Sequence, residues 1–282
     1  MYVSSIEMIK KAQDGHYAVP AFNAENLEMI QAIIAAAEEM NSPVMIQTTM
    51  PTVKYLTPEA AFVMVKTFAD KAKVPVALHL DHCTDFDAVM VAIKAGYSSV
   101  MFDGSKLSFE ENIRLTKQVV ETAKPMGITV EAELGAIGGK EDNVESKESI
   151  YTDVNEAKEF VEKTGVDILA IAIGTAHGFY KGEPKLDFDR IEEIGKTVSA
   201  PLVLHGGSGV PEESVKKAIS LGMSKVNFAT ELRAAATAGV REVLKDESVI
   251  DPKKFMGVAR ERVIALCIDK IRMCGSAGKE QL

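Results

Sequence analysis

Short apolar runs alternate with amphipathic segments along almost the whole chain, and that alternation limits the folds open to it. Eight runs read as strands, at residues 17–23, 44–49, 74–82, 98–103, 129–135, 168–177, 201–205 and 225–230. Between and after them, apolar residues recur at three- and four-residue spacing, the mark of helices with one buried face. These helices are expected at 27–40, 57–71, 85–94, 108–124, 155–164, 187–198, 211–220 and 231–245. Strand–helix alternation implies a parallel sheet covered by helices. Eight units are expected to close into a (β/α)8 barrel, with the doubly wound open sheet as the alternative. No linker divides the chain, so residues 1–282 are expected to form one domain, and a further helix at 251–273 is surplus to the barrel.

The strand ends carry the chemistry. Val74-Pro-Val-Ala-Leu-His-Leu-Asp-His82 is an apolar run that closes on a carboxylate and an imidazole. Two later runs also close on histidine and glycine, at His177-Gly178 and His205-Gly206. Three of the five histidines thus stand at the rim where barrel enzymes work. Three imidazoles with an open fourth position suit a catalytic zinc ion; otherwise each is a polar strand cap. His79 reads as core or as support for the site, and His16 as surface. Asp81 is either a general acid/base or a carboxylate that orients a ligand histidine. Glu131 and Glu133 share one face of a strand, which needs a lysine or a cation to offset their charge. With Asp103, Glu133 is a candidate for an accessory metal position.

Gly206-Gly-Ser-Gly209 before a helix suits an anion, held by backbone N–H groups and Ser208. Asn227-Phe-Ala-Thr230 follows one unit later, and the loops after strands 7 and 8 are frequent phosphate sites in barrels. The segment 135–151, with Gly138-Gly-Lys-Glu-Asp-Asn143, reads as a long functional loop.

Bulk properties exclude several classes. The net charge is −9 without a basic cluster, against nucleic acid or an anionic membrane as partner. Three scattered cysteines give no disulfide framework and no zinc-ribbon spacing. With no membrane-length apolar run and no signal-peptide pattern at the N-terminus, a cytoplasmic protein is expected.

Taken together, Ala21-Phe-Asn23, Leu78-His-Leu-Asp-His82, Val130-Glu-Ala-Glu-Leu-Gly135, Gly138-Gly-Lys-Glu-Asp142, Gly174-Thr-Ala-His-Gly178, Leu204-His-Gly-Gly-Ser-Gly209 and Lys225-Val-Asn227 resemble class II, zinc-dependent ketose-bisphosphate aldolases over essentially the whole chain. The resemblance implies reversible cleavage of fructose or tagatose 1,6-bisphosphate to dihydroxyacetone phosphate and glyceraldehyde 3-phosphate. It implies zinc on His82, His177 and His205, and Asp81 at the C4 hydroxyl proton. It implies Glu141 as the acid/base at the dihydroxyacetone-phosphate carbon. Gly178, Gly206, Gly207, Ser208, Asn227 and Thr230 match the phosphate pocket, with a sodium or potassium ion nearby. Asn23, Thr49 and Lys181 match positions near the substrate. Asp103 and Glu133 match an accessory metal site. A Lewis acid makes a Schiff-base lysine unnecessary. A homodimer or homotetramer is implied, with a separate partner subunit for a tagatose-type enzyme.

The chain departs from the family pattern at Thr49-Met50-Pro51, Cys83, Thr84, Lys106 and Ser108, which bears on the substrate rather than the reaction. Gly174–His177 and Ala229–Leu232 look tagatose-like, Lys181-Gly182 fructose-like, and Gly275-Ser-Ala-Gly278 like the inositol-pathway branch. A zinc hydrolase on the same barrel and a non-catalytic scaffold subunit are the competing classes.

Overall fold

The alternating pattern resolves into two nested layers. The computed structural model describes residues 1–141, 144–146, 150–180 and 182–281, without the side chains of 140, 141 and 144–146. Its strands in chain order are β1 (Val19–Asn23), β2 (Val44–Thr49), β3 (Val76–Cys83), β4 (Ser99–Phe102), β5 (Thr129–Leu134), β6 (Gly138–Glu141), β7 (Val144–Ser146), β8 (Ile168–Ile171), β9 (Ala176–His177), β10 (Leu202–Leu204) and β11 (Met223–Phe228). Eight of them close into a parallel barrel in the order β1-β11-β10-β8-β5-β4-β3-β2. The other three form a small sheet in the order β7-β6-β9.

The helices are α1 (Ile6–Asp14), α2 (Leu27–Glu39), α3 (Met50–Leu56), α4 (Pro58–Ala69), α5 (Phe86–Ala95), α6 (Phe109–Ala123), α7 (Val154–Thr164), α8 (Phe188–Thr197), α9 (Glu212–Ser220), α10 (Thr230–Val243) and α11 (Pro252–Met273). Many of their starts are fixed by a side-chain oxygen that accepts a first-turn backbone N–H, as at Asn26, Thr57, Asp85, Ser108, Asp153, Asp187 and Asp251.

The closed barrel is as expected, with three differences. The sixth barrel strand stops at Ile171, so His177 is not at its end but lies beyond it in β9. The expected loop 135–151 contributes β6 and β7, which pair antiparallel. Helices α1 and α3 were not anticipated; both are short, and α3 follows β2 with no intervening loop.

Side-chain parity splits the core in two. One parity of each strand faces the surrounding helices and builds the larger core, including Phe22, Ile46, Leu78, Val100, Leu169, Leu204 and Phe228. The other parity faces the barrel axis, where Val19, Ala21, Met45, Ala77, Ile168, Ala170 and Val203 form a second core with Met8, Ile9 and Ala12 of α1. Helix α1 therefore plugs the N-terminal mouth, and the inward positions further along the strands are left for polar residues. Helix α11 packs along α10 and α2. Its crossing with α10 is close enough that a Cβ at Gly239 would stand 2.7 Å from the Ala259 Cα.

Ile9 is wholly buried at the centre of the plug. Ile9→Ala is expected to destabilise the protein by about 2–5 kcal/mol. Urea denaturation should show this as a lower midpoint at an unchanged slope.

Candidate active site and metal centre

A strand turns alternate residues to one side, yet the barrel interior receives both Asp81 and His82. The chain solves this with a bulge. His82 has φ +49°, and the pairing of β3 with β4 shifts register between Leu80 and Cys83. A non-glycine residue in the left-handed region costs about 1–2 kcal/mol. The His82 backbone N–H is held there by a contact to Met101 Sδ at 3.3 Å. The strain is what brings adjacent residues to one side.

His82, His177 and His205 come together, and their ligand-type nitrogens all lie within 4.8 Å of one another. His205 follows directly on β10, while His177 arrives from the small sheet, where β9 pairs with β6. The approach of these strands needs glycine. Gly139 has φ +99°, and a Cβ there would lie 2.3 Å from the His177 carbonyl oxygen. Burial, then the neighbouring His82, pushes the His177 and His205 imidazoles well below the ordinary histidine range. Neutral imidazoles are the form that binds a metal.

The hydrogen bonds around these rings test whether a metal suits the site. Asp103 Oδ2 lies 3.1 Å from His82 Nδ1, and Glu131 Oε1 lies 2.7 Å from His205 Nε2. Carboxylates accept, so each of those ring nitrogens carries the proton. The remaining nitrogens, His82 Nε2 and His205 Nδ1, then face each other at 2.8 Å. Two lone pairs at that distance need a proton or a cation between them. Glu133 Oε2, buried and without a hydrogen bond among the described residues, lies 3.8 Å from both His82 Nδ1 and His205 Nδ1. The donor set fits zinc.

The other carboxylates differ in environment. Burial opposes ionisation of Asp103, but bonds from His82 and Ser105 outweigh it and hold the carboxyl far below its usual range. Burial, then the charge of Asp103, pushes Glu133 well above its usual range. Asp103 and Glu133 do converge on His82. Asp81 is wholly buried, and its carboxyl is raised first by burial. It accepts from Gln47 Nε2 at 3.1 Å and from Asn227 Nδ2 at 3.3 Å. Gln47 also donates to Asn23 Oδ1 at 2.7 Å. Asn23 Nδ2 and Asn227 Oδ1 are buried without a hydrogen bond among the described residues, so this polar ring retains capacity for a ligand.

Two recesses flank the histidines, and His177 lines both. The smaller is lined by Gly178, Gly206, Ser208, Asn227 and Thr230, at the N-terminus of α10. It holds about 10 Å³, the space of one water, so a phosphate would require its rim to open. Ser208 Oγ accepts the Ala229 N–H at 3.2 Å, and the Gly207 N–H donates to the Asn227 carbonyl at 3.0 Å. The larger cavity, about 390 Å³, lies against His82, Asp103 and Glu133 and is lined outward by Thr49, Met50, Thr84 and Lys106. The side chain of Glu141, and Lys181 altogether, lie outside the described residues. His79 is buried and His16 exposed, as expected.

Sequence reasoning missed Gln47 and Tyr180. Tyr180 Oη accepts the Ala176 N–H at 2.9 Å and donates to the Gly206 carbonyl at 2.8 Å, tying the two histidine-bearing loops together. A tyrosine in a loop carries no sequence signal for this. Gln47 had one: it is a polar residue of inward parity, two positions before Thr49 on an apolar strand.

Residues 3–279 match the family model for class II fructose-bisphosphate aldolase. The chain belongs to that family. A fructose-bisphosphate aldolase from Geobacillus stearothermophilus is 49% identical over 281 residues, 98% of each chain. A sulfofructosephosphate aldolase from Alkalicoccus urumqiensis is 46% identical over 99% of this chain and 98% of its own. Among solved structures, the YdjI aldolase from Escherichia coli K12 superposes with a TM-score of 0.90 at 40% identity, covering 100% of both chains. The protein is thus a class II aldolase, a carbon–carbon lyase acting on a ketose phosphate, from a zinc-dependent family.

For this class II aldolase, Tyr180→Phe would leave the Ala176 N–H and the Gly206 carbonyl without their shared partner. The loss of stability should be about 1–3 kcal/mol by urea denaturation. Tyr55→Phe, on an exposed ring, should change it by less than about 0.5 kcal/mol.

Proposed function

We propose that the enzyme reversibly cleaves a ketose 1,6-bisphosphate, fructose or tagatose, to dihydroxyacetone phosphate and glyceraldehyde 3-phosphate. The observation that carries this reading is the convergence of three imidazoles between an anion cradle and a separate cavity with a cation on its rim. His82, His177 and His205 would hold zinc, with Asp103 and Glu133 as an accessory position. Bound there, zinc would act as a Lewis acid for the negative charge left on the ketone half when the carbon–carbon bond breaks.

The other roles belong to the chain itself. Gly178, Gly206, Gly207, Ser208, Asn227 and Thr230, with Lys181, would bind the phosphate of the dihydroxyacetone half, aided by a monovalent cation and by the α10 N-terminus. Asp81 would take the C4 hydroxyl proton. Burial raises its carboxyl toward the working pH, which suits a group that must both take and return a proton. Gln47 and Asn227 aim it, and Asn23 steadies Gln47. Glu141 would exchange the proton on the ketone-half carbon. Thr49 and Lys106 would meet the far half of the sugar in the larger cavity. Residues 1–282 would act as one domain, in a cytoplasmic homodimer or homotetramer. The 46% identical relative supports a second reading, with a sulfonate in place of the far phosphate.

A coupled assay for triose phosphate release tests the proposal with fructose bisphosphate, tagatose bisphosphate and the 6-sulfo analogue in parallel. Activity should fall on chelation and return with zinc; chelator-insensitive turnover would overturn the three-histidine centre. Asp81→Ala should lower kcat by about 10²–10⁴-fold while the protein still binds zinc. Near-normal turnover in that variant would remove Asp81 from catalysis. Lys106→Met should raise KM for the bisphosphate about 3–10-fold, with little change in kcat.

A further inference from the structure

Beneath the histidines lies a buried polar layer that the proposed reaction does not use. Glu131, Lys225, His79 and Ser99 are all at 0% exposure. Oxygens of Glu131 and Asp81 and a His79 nitrogen are close enough together to suggest a second metal site. Lys225 argues against that. Its Nζ lies 2.8 Å from Glu131 Oε2 and already supplies a fixed positive charge there. The other Glu131 oxygen, Oε1, lies 2.7 Å from His205 Nε2. One carboxylate therefore joins a lysine on β11 to an imidazole just past β10. His79 completes the layer: its Nδ1 shares a hydrogen bond with Ser99 Oγ at 2.7 Å, and its Nε2 lies 3.5 Å from Glu131 Oε2.

We propose that the Lys225–Glu131 pair is a positioning device for the metal centre, an inference that rests on the zinc reading given above. Because a carboxylate only accepts, Glu131 keeps the His205 proton on Nε2 and turns the Nδ1 lone pair toward His82. Without Glu131, the other tautomer would put a proton where the metal belongs, and the ring would lose its fixed tilt. Lys225 has two tasks. It offsets a carboxylate buried away from water, and it pins Oε2 so that Oε1 faces the imidazole. A layer that merely filled space needs none of this, as Val19, Ala77 and Ile168, apolar inward residues at the N-terminal ends of their strands, show.

The test is zinc affinity, measured on metal-free protein by competition with a chromogenic chelator, alongside thermal unfolding. In Glu131→Gln, the amide cannot accept from His205 and from Lys225 at once. Zinc should bind about 10–100-fold more weakly. At saturating zinc, kcat should recover to within a few-fold of wild type, because Glu131 touches no reacting atom. Should that variant fail to fold, the double variant Glu131→Gln/Lys225→Met decides. It removes the buried charges as a pair, and its amide oxygen is free to accept from His205. Its zinc affinity should fall between the single variant's expected range and wild type. A folded Glu131→Gln protein that binds zinc as tightly as wild type would overturn the proposal, as would a folded double variant weaker than 100-fold below wild type. Wild-type protein that binds no zinc would instead overturn the function on which the proposal rests.

Discussion

Everything at this site depends on a breach of strand parity. An extended strand offers its interior only every second side chain. In the proposed reaction β3 would present Asp81 to a substrate hydroxyl and His82 to the metal centre, and these residues are neighbours. A one-residue bulge with left-handed backbone at His82 is the local solution, and it works only because the barrel around it is closed and well packed. The apolar plug of α1 and the helix-facing core supply the stability that lets one strained residue persist. The strain lies where function needs it, one residue from the end of the strand.

The second constraint is charge. The inward parity of three strands brings Asp81, Asp103, Glu131 and Glu133 into one enclosed space, with Lys225 as its buried lysine. Lys225 accounts for Glu131. Hydrogen bonds from His82 and Ser105 keep Asp103 ionised. Asp81 accepts from the amides of Gln47 and Asn227, and Glu133 Oε1 accepts the Ile137 N–H, but burial outweighs these bonds and drives both carboxyls upward. A divalent cation among the histidines would lower the cost of every carboxylate around it. The unsatisfied Glu133 oxygen and the facing lone pairs of His82 and His205 are thus two signs of one deficit of positive charge.

Much of this was legible before any coordinates. Strand and helix periods, with Gly and Pro at the boundaries, carried the barrel because local pattern and global fold agree. The strand-end histidines were legible because imidazole is unusual at the end of an apolar run. The route of His177 was not. The run 168–177 is apolar to its end, and nothing in its composition marks where the backbone leaves the barrel for the small sheet. Nor did the sequence reveal α1 as a plug, since a short helix before the first strand has the same pattern wherever it packs. The partners of Glu131 and Glu133 were open between lysine and cation. The structure divides them: Glu131 pairs with Lys225, whereas Glu133 has no lysine partner among the described residues, a distinction set by two residues of strand register.

That division also explains how one barrel can serve different sugars. Apart from His177 and Glu141, which the small sheet carries, the groups that would handle the breaking bond sit on or just past barrel strands, fixed by register and by a buried charge layer beneath them. The groups that would face the far half of the substrate sit outside that frame: Met50 opens α3, Thr84 follows the end of β3, and Lys106 lies between β4 and α6. Lys106 makes no ion pair with another described residue, so it is available to an anionic ligand and can change without disturbing the layer below. Substitutions there cost little stability, because loop side chains at a rim contribute little packing. A fructose-bisphosphate aldolase and a sulfofructosephosphate aldolase can therefore each remain close to half identical to this chain. On this proposal the reaction would be written into the register of the strands, and the choice of sugar into the segments that follow them.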